Sequence, residues 1–160
     1  MRLMLITGPG TGTQPTGVAC KPIQTQINEL LDYLKANKIE IHRLWLDVEP
    51  TSGVCNAWKL SKSSNFNLAK QWTNTLRNTG LKWGIYGNPN QWEEMFPSRS
   101  SNIGSDLPLW VVIDDNMAGV GAISQGQLMG GWEISNLLAK QFLLDTNVCG
   151  ASLDKDSFLE

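Results

Sequence analysis

The chain has 160 residues, a length typical of one domain with a buried core, and we expect a single domain over residues 1–160. Hydrophobic residues make up 41% of the chain and charged residues 18%, with a formal net charge of −2. This composition excludes a disordered chain and a basic nucleic-acid-binding surface. No apolar run approaches the roughly 20 residues that span a bilayer, so we expect no membrane partner either.

Short apolar runs rich in branched or aromatic residues predict buried strands in the first two thirds of the chain. These predicted strands cover residues 3–6, 44–47, 82–86 and 109–113. Apolar residues at helical spacing predict helices over 23–34 and 66–76. Strands that alternate with helices are typical of βαβ crossovers and a parallel sheet, so the predicted fold class is α/β.

The two ends of the chain are less regular. The apolar run at residues 1–6 lacks the core and cleavage site of a signal peptide, which is why we interpret it as a strand. Residues 119–131 hold several glycines and little periodicity, and they predict a loop. Two final strands are expected over 139–144 and 151–153, separated by a turn over 145–150.

The strongest chemical signal is the segment Leu44-Trp45-Leu46-Asp47-Val48-Glu49-Pro50. Side chains alternate along a strand, so Asp47 and Glu49 should face the same side, roughly 7 Å apart along the chain. They lie at the carboxyl end of a predicted parallel strand, where barrel enzymes place catalytic groups. Repulsion between two close carboxylates raises the proton affinity of one of them, and such pairs are typical of enzymes that cleave glycosidic bonds.

Two other interpretations of these acids stay open. Both side chains would equally suit the solvated end of a strand. A metal site would need further oxygen ligands, for which Asp114, Asp115 and Asp154 are the candidates. A Cys/His metal site is not expected, because there is one histidine and no CxxC or CxxH pair, and no motif indicates a cofactor.

Aromatic residues accompany the acidic segments, and the chain has seven tryptophans against two tyrosines. Trp45 and Trp110 lie in predicted strands near acids, and Tyr86 ends another strand. Sugars present apolar C–H faces that stack on aromatic rings, so these three side chains suit a saccharide cleft, with simple burial as the alternative. The tryptophans that fit core positions are Trp58, Trp72, Trp83 and Trp92.

Four segments together resemble glycoside hydrolase family 25, the Chalaropsis-type lysozymes, and in particular its eukaryotic members. They are Leu44 to Pro50, Lys82-Trp83-Gly84-Ile85-Tyr86, Leu107-Pro108-Leu109-Trp110 and Leu153-Asp154. The similarity runs along nearly the whole chain, and its most specific part is the order of the D-x-E, G-I-Y and L-W strands. It implies an incomplete TIM-like (β/α) barrel with parallel strands. It also implies hydrolysis of the β-1,4 bond between N-acetylmuramic acid and N-acetylglucosamine in bacterial peptidoglycan.

The resemblance assigns roles to individual residues. Glu49 would be the proton donor, and Asp47 the acidic partner that orients the substrate or stabilises the charged transition state. Asp154 would be the acid that ends the last strand, and Tyr86 and Trp110 would line the cleft. By the same resemblance the protein would be secreted or lysosomal/phagosomal and antibacterial, and we expect it to be a monomer.

The chain departs from the family pattern at its start. Residues 2–7 match what looks like the third strand of the family, so the strand with a further acid in a D-V-S-like segment is absent. We therefore expect an N-terminally truncated domain. One alternative is a catalytically inactive, saccharide-binding remnant of the fold, and another is a piece whose function resides in a longer protein.

A disulfide between Cys20 and Cys55 is also predicted. Cys20 lies in the long loop after the first strand, and Cys55 lies in the loop after the strand with the two acids. Loops on the same face of a barrel can meet. Cys149 would then be the unpaired thiol.

Overall fold

The computed structural model describes the backbone of residues 2–6 and residues 16–50, 55 and 58–159 with their side chains. The strands in these ranges are β1 (Arg2–Ile6), β2 (Arg43–Val48), β3 (Trp83–Gly87), β4 (Leu109–Val112), β5 (Leu137–Val148) and β6 (Ala151–Phe158). The helices are α1 (Ile23–Ala36), α2 (Lys62–Arg77) and α3 (Pro89–Met95). No helix in the described ranges has both the length and the apolar character needed to cross a bilayer.

The strands form one curled sheet in the order β1-β2-β3-β4-β5-β6. Neighbours from β1 to β5 are parallel, whereas β6 is antiparallel to β5. This half-barrel confirms the α/β class and the incomplete β/α barrel. The expectation of parallel strands is wrong for the last pair, because a connection of two residues, Cys149 and Gly150, is too short for a crossover.

The hairpin also corrects the predicted turn over 145–150. Strand β5 continues to Val148, and only Cys149 and Gly150 form the connection, with φ angles of 53° and 82°. Positive φ at both central residues is the conformation of the tight hairpin turn that matches the twist of the strands. The predicted strand over 151–153 is likewise too short, since β6 runs to Phe158.

The helices follow from local signals, including one that periodicity does not show. Ser61 caps α2 by accepting a hydrogen bond from the backbone N–H of Ser64 at 3.2 Å, so the helix begins before its first large apolar residue. Helix α3 is absent from the predictions because it has only 7 residues. Asn88 caps it and Pro89 occupies its first turn, which is the usual placement of those residues at a helix start.

The two faces of the sheet bury different side chains. Leu44, Leu46 and Val48 point from β2 into the main core, which the helices cover. Trp45 points the other way, into a second cluster on the concave face of the sheet. The main core also holds the four tryptophans predicted for it: Trp58, Trp72, Trp83 and Trp92.

A disulfide and an ion pair hold loop segments in place around the sheet. Cys20 and Cys55 form a disulfide with a Cα–Cα distance of 5.4 Å, as their predicted positions suggest, and Cys149 is an exposed free thiol. The side chain of Lys140 on β5 is fully buried and bonds both carboxylate oxygens of Asp115 at 2.7 Å. This ion pair holds the segment that follows β4 against β5.

Candidate active site

Strand alternation brings the predicted acids to the concave face. Asp47 pairs in register with Tyr86 on β3, and Tyr86 pairs with Trp110 on β4. Glu49 lies two residues beyond Asp47, just after β2 ends. Asp47 is only 6% exposed, whereas Glu49 is half-buried, so Glu49 lies nearer the mouth of the sheet.

Strands β5 and β6 complete the cluster with polar side chains. The Tyr86 hydroxyl donates to Gln141 Oε1 at 2.7 Å, and Gln141 Nε2 donates to Asp154 Oδ2 at 3.2 Å. The Trp110 indole N–H donates to Asp156 Oδ1 at 3.0 Å. A continuous hydrogen-bonded chain therefore runs from β3 through β5 to β6.

Asp154 joins the cluster, but not as the acid that ends the last strand. It lies inside β6, and its Oδ1 accepts the backbone N–H of Asp145 at 2.9 Å. The β5–β6 register is irregular at this point, between the pairs Leu143–Lys155 and Thr146–Leu153. Two residues of β5 thus oppose Asp154 alone, and such a β-bulge re-aims the side chains around it.

Burial and mutual repulsion change the acidity of the cluster. Burial, with the charge of Glu49 as a second cause, raises the pKa of Asp47 from 3.8 to about 7. Burial also raises the pKa of Glu49; a hydrogen bond with Tyr86 lowers it in part, and the charge of Asp154 raises it. The pKa of Asp156 is raised chiefly by burial as well. Asp47 therefore retains its proton in part near neutral pH, and the pKa of Glu49 is shifted in the direction that a general acid requires.

Aromatic rings form the floor beneath these acids. Trp110 makes edge-on contacts with Trp45, Tyr86 and Phe158, with ring centroids 5.5, 5.0 and 5.0 Å apart. Gly84 makes room for this stack, because a Cβ there would overlap the Trp45 ring. Trp45 is 1% exposed and Trp110 8%, so most of both rings is already covered by protein. Substrate contact by Trp45, Tyr86 and Trp110 stays a prediction.

A cleft of about 450 Å³ opens beside the cluster, at the carboxyl ends of β3 and β4. Val112 belongs both to the wall of this cleft and to the concave-face cluster that contains Tyr86. The wall also includes polar side chains from three loops, among them Asn88, Asp114 and Gln127. Asp47, Glu49, Asp154 and Asp156 do not line this cleft, and Val112 is what connects it to the concave-face cluster.

Two residues of the cluster, Gln141 and Asp156, are absent from the sequence predictions. Gln141 is recognisable as a polar residue two positions after Ala139 in a predicted strand, hence on the same face. Asp156 lies beyond the predicted end of its strand. Of the acids considered for a metal site, Asp115 pairs with Lys140 instead, and the described residues include no group of three or more His, Cys, Asp or Glu placed to hold a metal ion.

Comparison with known proteins finds several relatives of this chain. A family model described as "Lys-1: Lysozyme-like protein 1" matches residues 13–128. "Counting factor 50" of Dictyostelium discoideum is 29% identical over 138 residues, covering 86% of this chain and 42% of its own length. "Lysozyme-like protein 7" of Caenorhabditis elegans is 29% identical over 150 residues, covering 91% and 50%. "Probable GH family 25 lysozyme 2" of Dictyostelium discoideum is 26% identical over 129 residues, covering 81% and 55%.

The chain spans about half the length of these relatives. Among solved structures, "Structure of muramidase from Trichobolus zukalii" superposes with a TM-score of 0.58 at 23% identity. The match covers 92% of this chain and 64% of the fungal one, and it supports the barrel-like fold. The resemblance to eukaryotic family 25 lysozymes is confirmed.

Proposed function

Because the chain belongs to the lysozyme-like family whose model matches it, we propose that it acts as a muramidase-like glycoside hydrolase. Its substrate would be bacterial peptidoglycan, cut at the β-1,4 bond between N-acetylmuramic acid and N-acetylglucosamine. The observation that carries this proposal is the carboxyl cluster on the concave face. Two of its acids, Asp47 near the end of β2 and Glu49 just beyond it, have raised pKa values.

Glu49 is the proton donor in this mechanism. It is less buried than Asp47 and lies at the carboxyl end of β2, so it is the acid of the pair that an incoming glycosidic oxygen reaches first. The upward shift of its pKa favours the protonated form, which is the form that can give a proton to the leaving oxygen. Protonation of that oxygen lets the glycosidic bond break with positive charge developing on the sugar ring.

Asp47 acts behind Glu49 as its electrostatic partner. Loss of the Glu49 proton to the leaving group places a negative charge beside Asp47, and the proton affinity of Asp47 rises in response. While ionised, Asp47 would stabilise the positive sugar ring. Asp154 and Asp156 on β6 add negative potential at the site, which would also stabilise the positive charge on the sugar ring.

The polymer would bind along the cleft beside Val112, where amide and carboxylate side chains meet sugar hydroxyls. The Cys20–Cys55 disulfide favours an oxidising compartment, which supports a secreted or lysosomal location. A monomer suffices for this mechanism, since every group it uses comes from one chain.

Glu49→Gln tests the proposal. Loss of a general acid should lower hydrolysis of purified peptidoglycan by at least about 100-fold, with the circular dichroism spectrum unchanged. Glu40→Gln is the matched control, because Glu40 is exposed before the amino end of β2, and it should keep wild-type activity. Release of reducing ends from peptidoglycan measures the rate.

Two results would contradict the proposal. Wild-type hydrolysis by Glu49→Gln would remove Glu49 as the acid. Folded wild-type protein that binds peptidoglycan fragments without releasing reducing ends would instead support the inactive saccharide-binding alternative for this chain.

A further inference from the structure

We propose that a second pocket, at the end of the sheet opposite the acids, binds a small apolar monocarboxylate: one carboxylate head on a short alkyl chain or a single aryl ring. This amino-end pocket lies where β2 and β3 begin, whereas Glu49 lies just beyond the carboxyl end of β2. The inference is therefore independent of the proposed hydrolysis.

Three chain segments enclose the amino-end pocket. They are the last turns of α1, the segment that leads into β2, and the two residues that precede β3. The apolar residues that line it are Leu31, Leu34, Ile39, Ile41, Leu44 and Leu81. Its volume is about 200 Å³. Because an apolar cavity of about 150 Å³ admits a benzene ring, this pocket has room for one ring or a short chain and is too small for a long lipid tail.

The innermost part of the pocket favours an apolar ligand body. Leu34 and Leu44 are 8% and 1% exposed, and Ile39 and Ile41 are half-buried. Backbone polar groups here are already bonded, since the Ile39 N–H donates to the Leu34 carbonyl at 2.9 Å. The Leu44 N–H likewise donates to the Lys82 carbonyl at 3.0 Å. A hydroxylated body such as a sugar would lose its hydrogen bonds to water on entering this part and regain few of them.

The rim of the pocket supplies the charge that a carboxylate head needs. The remaining lining residues are His42, Arg43 and Lys82, and no Asp or Glu is among the described residues that line the pocket. His42 and Lys82 are exposed, whereas Arg43 Nη1 donates to the Trp83 carbonyl at 2.7 Å. Glu40 lies nearby in the sequence, but it is exposed and does not line the pocket. A basic rim on a chain of net charge −2 attracts an anion and repels an ammonium ion.

Binding of hexanoate to the full chain, followed by amide shifts in proton–nitrogen NMR at neutral pH, tests the proposal. Hexanoate should give saturable shifts at the lining residues, with a Kd of about 1 mM or lower. Hexylammonium has the same body with the opposite charge, and acetate has the same head without the body. Each should bind at least about tenfold more weakly than hexanoate. Decanoate should bind less than about fourfold more tightly, because a fourfold gain corresponds to burial of one further methylene.

Two rim variants test the residues that recognise the head. Lys82→Met removes one positive charge and should weaken hexanoate binding about fivefold. Leu81→Glu adds a carboxylate and should weaken it at least about tenfold, and because Leu81 is 46% exposed this change does not disturb the core. Lys59→Met is the matched control: Lys59 is exposed, precedes α2 and does not line the pocket. It removes the same charge from the chain and should keep the wild-type affinity.

Four results would overturn the proposal. Equal affinities for hexanoate and hexylammonium would show that the basic rim plays no part. Equal weakening by Lys82→Met and Lys59→Met would reflect only the net charge of the chain. Hexanoate shifts confined to the cleft at the carboxyl ends of β3 and β4 would place the ligand elsewhere. A gain of more than about fourfold from hexanoate to decanoate would indicate a lipid chain in place of a small carboxylate. None of these measurements requires hydrolysis, so this proposal and the proposed function fail separately.

Discussion

Replacing Asp47 with asparagine should make the protein more resistant to unfolding at alkaline pH. Asp47 is 6% exposed, and burial with the nearby charge of Glu49 raises its pKa from 3.8 to about 7. The folded state therefore binds a proton more tightly than the unfolded state does. A raised pKa of this kind stabilises the fold below about pH 4, and the contribution is lost as pH rises through about 7. Asparagine resembles the neutral acid in shape and carries no charge at any of these pH values.

The size of the effect follows from the pKa shift. A shift of about three units, at roughly 1.4 kcal/mol per unit, sets an upper bound of about 4 kcal/mol. Part of that shift belongs to Asp47 and Glu49 jointly, because each ionises less readily once the other is charged. We therefore expect the free energy of unfolding of Asp47→Asn, relative to that of wild type, to be about 2 kcal/mol higher at pH 8 than at pH 4, so that the variant is relatively more stable at pH 8.

Urea denaturation at the two pH values, followed by circular dichroism, measures this difference. Comparing pH values rather than absolute stabilities removes any pH-independent effect of the new amide. Asp106→Asn is the matched control: Asp106 is exposed, and its hydrogen bonds with Arg77 lower its pKa, so its small contribution is nearly complete by pH 4. The free energy of unfolding of Asp106→Asn, relative to that of wild type, should change by less than about 0.5 kcal/mol between pH 4 and pH 8. An Asp47→Asn difference that is constant or falls with pH would refute the reasoning.

Two further predictions concern the frame around the site. Asp115→Asn should lower the free energy of unfolding in urea by about 3 kcal/mol, because it leaves the fully buried Lys140 ammonium without its carboxylate partner. Lys140→Met should lower it by less, because the Asp115 side chain is 23% exposed and water can hydrate it. The reverse order of the two effects would contradict this account. Gly84→Ala should cost about 2 kcal/mol through overlap with Trp45, while Gly121→Ala, with open space around it, should stay within about 0.5 kcal/mol of wild type. Equal effects at the two glycines would show that the Trp45 ring gives way easily.

The part of the fold that the sequence predicts is the part with a strong repeating pattern. The buried strand Arg43–Val48 contains a continuous apolar run and the helix Ile23–Ala36 has apolar residues at a period of 3.6, and each lies within a few residues of its predicted bounds. Asp47 and Glu49 are recognisable for the same reason, since alternation alone puts neighbours at i and i+2 on one side. These signals are local, so they need no knowledge of which strands pair.

The rest of the site depends on pairing between distant strands. Tyr86 and Gln141 are 55 positions apart in the chain, and Trp110 and Asp156 are 46 apart. Which residues face each other is set by the register of β3, β4, β5 and β6, and no local pattern encodes that register. Helix α3 was missed for a different reason, because 7 residues are too few to show a period.

The register of the final hairpin decides the charge of the site. Along β6, Asp154 and Asp156 accept hydrogen bonds from Gln141 and Trp110, and strand alternation turns Lys155 between them to the other side. Side chains alternate, so a slip of one residue against β5 would turn Lys155 into the cluster and both acids out of it. A cation beside Glu49 would stabilise its ionised form and oppose the proton retention that a general acid needs. The two-residue turn at Cys149 and Gly150 restricts such a slip, and this makes a loop remote from the acids a determinant of their protonation.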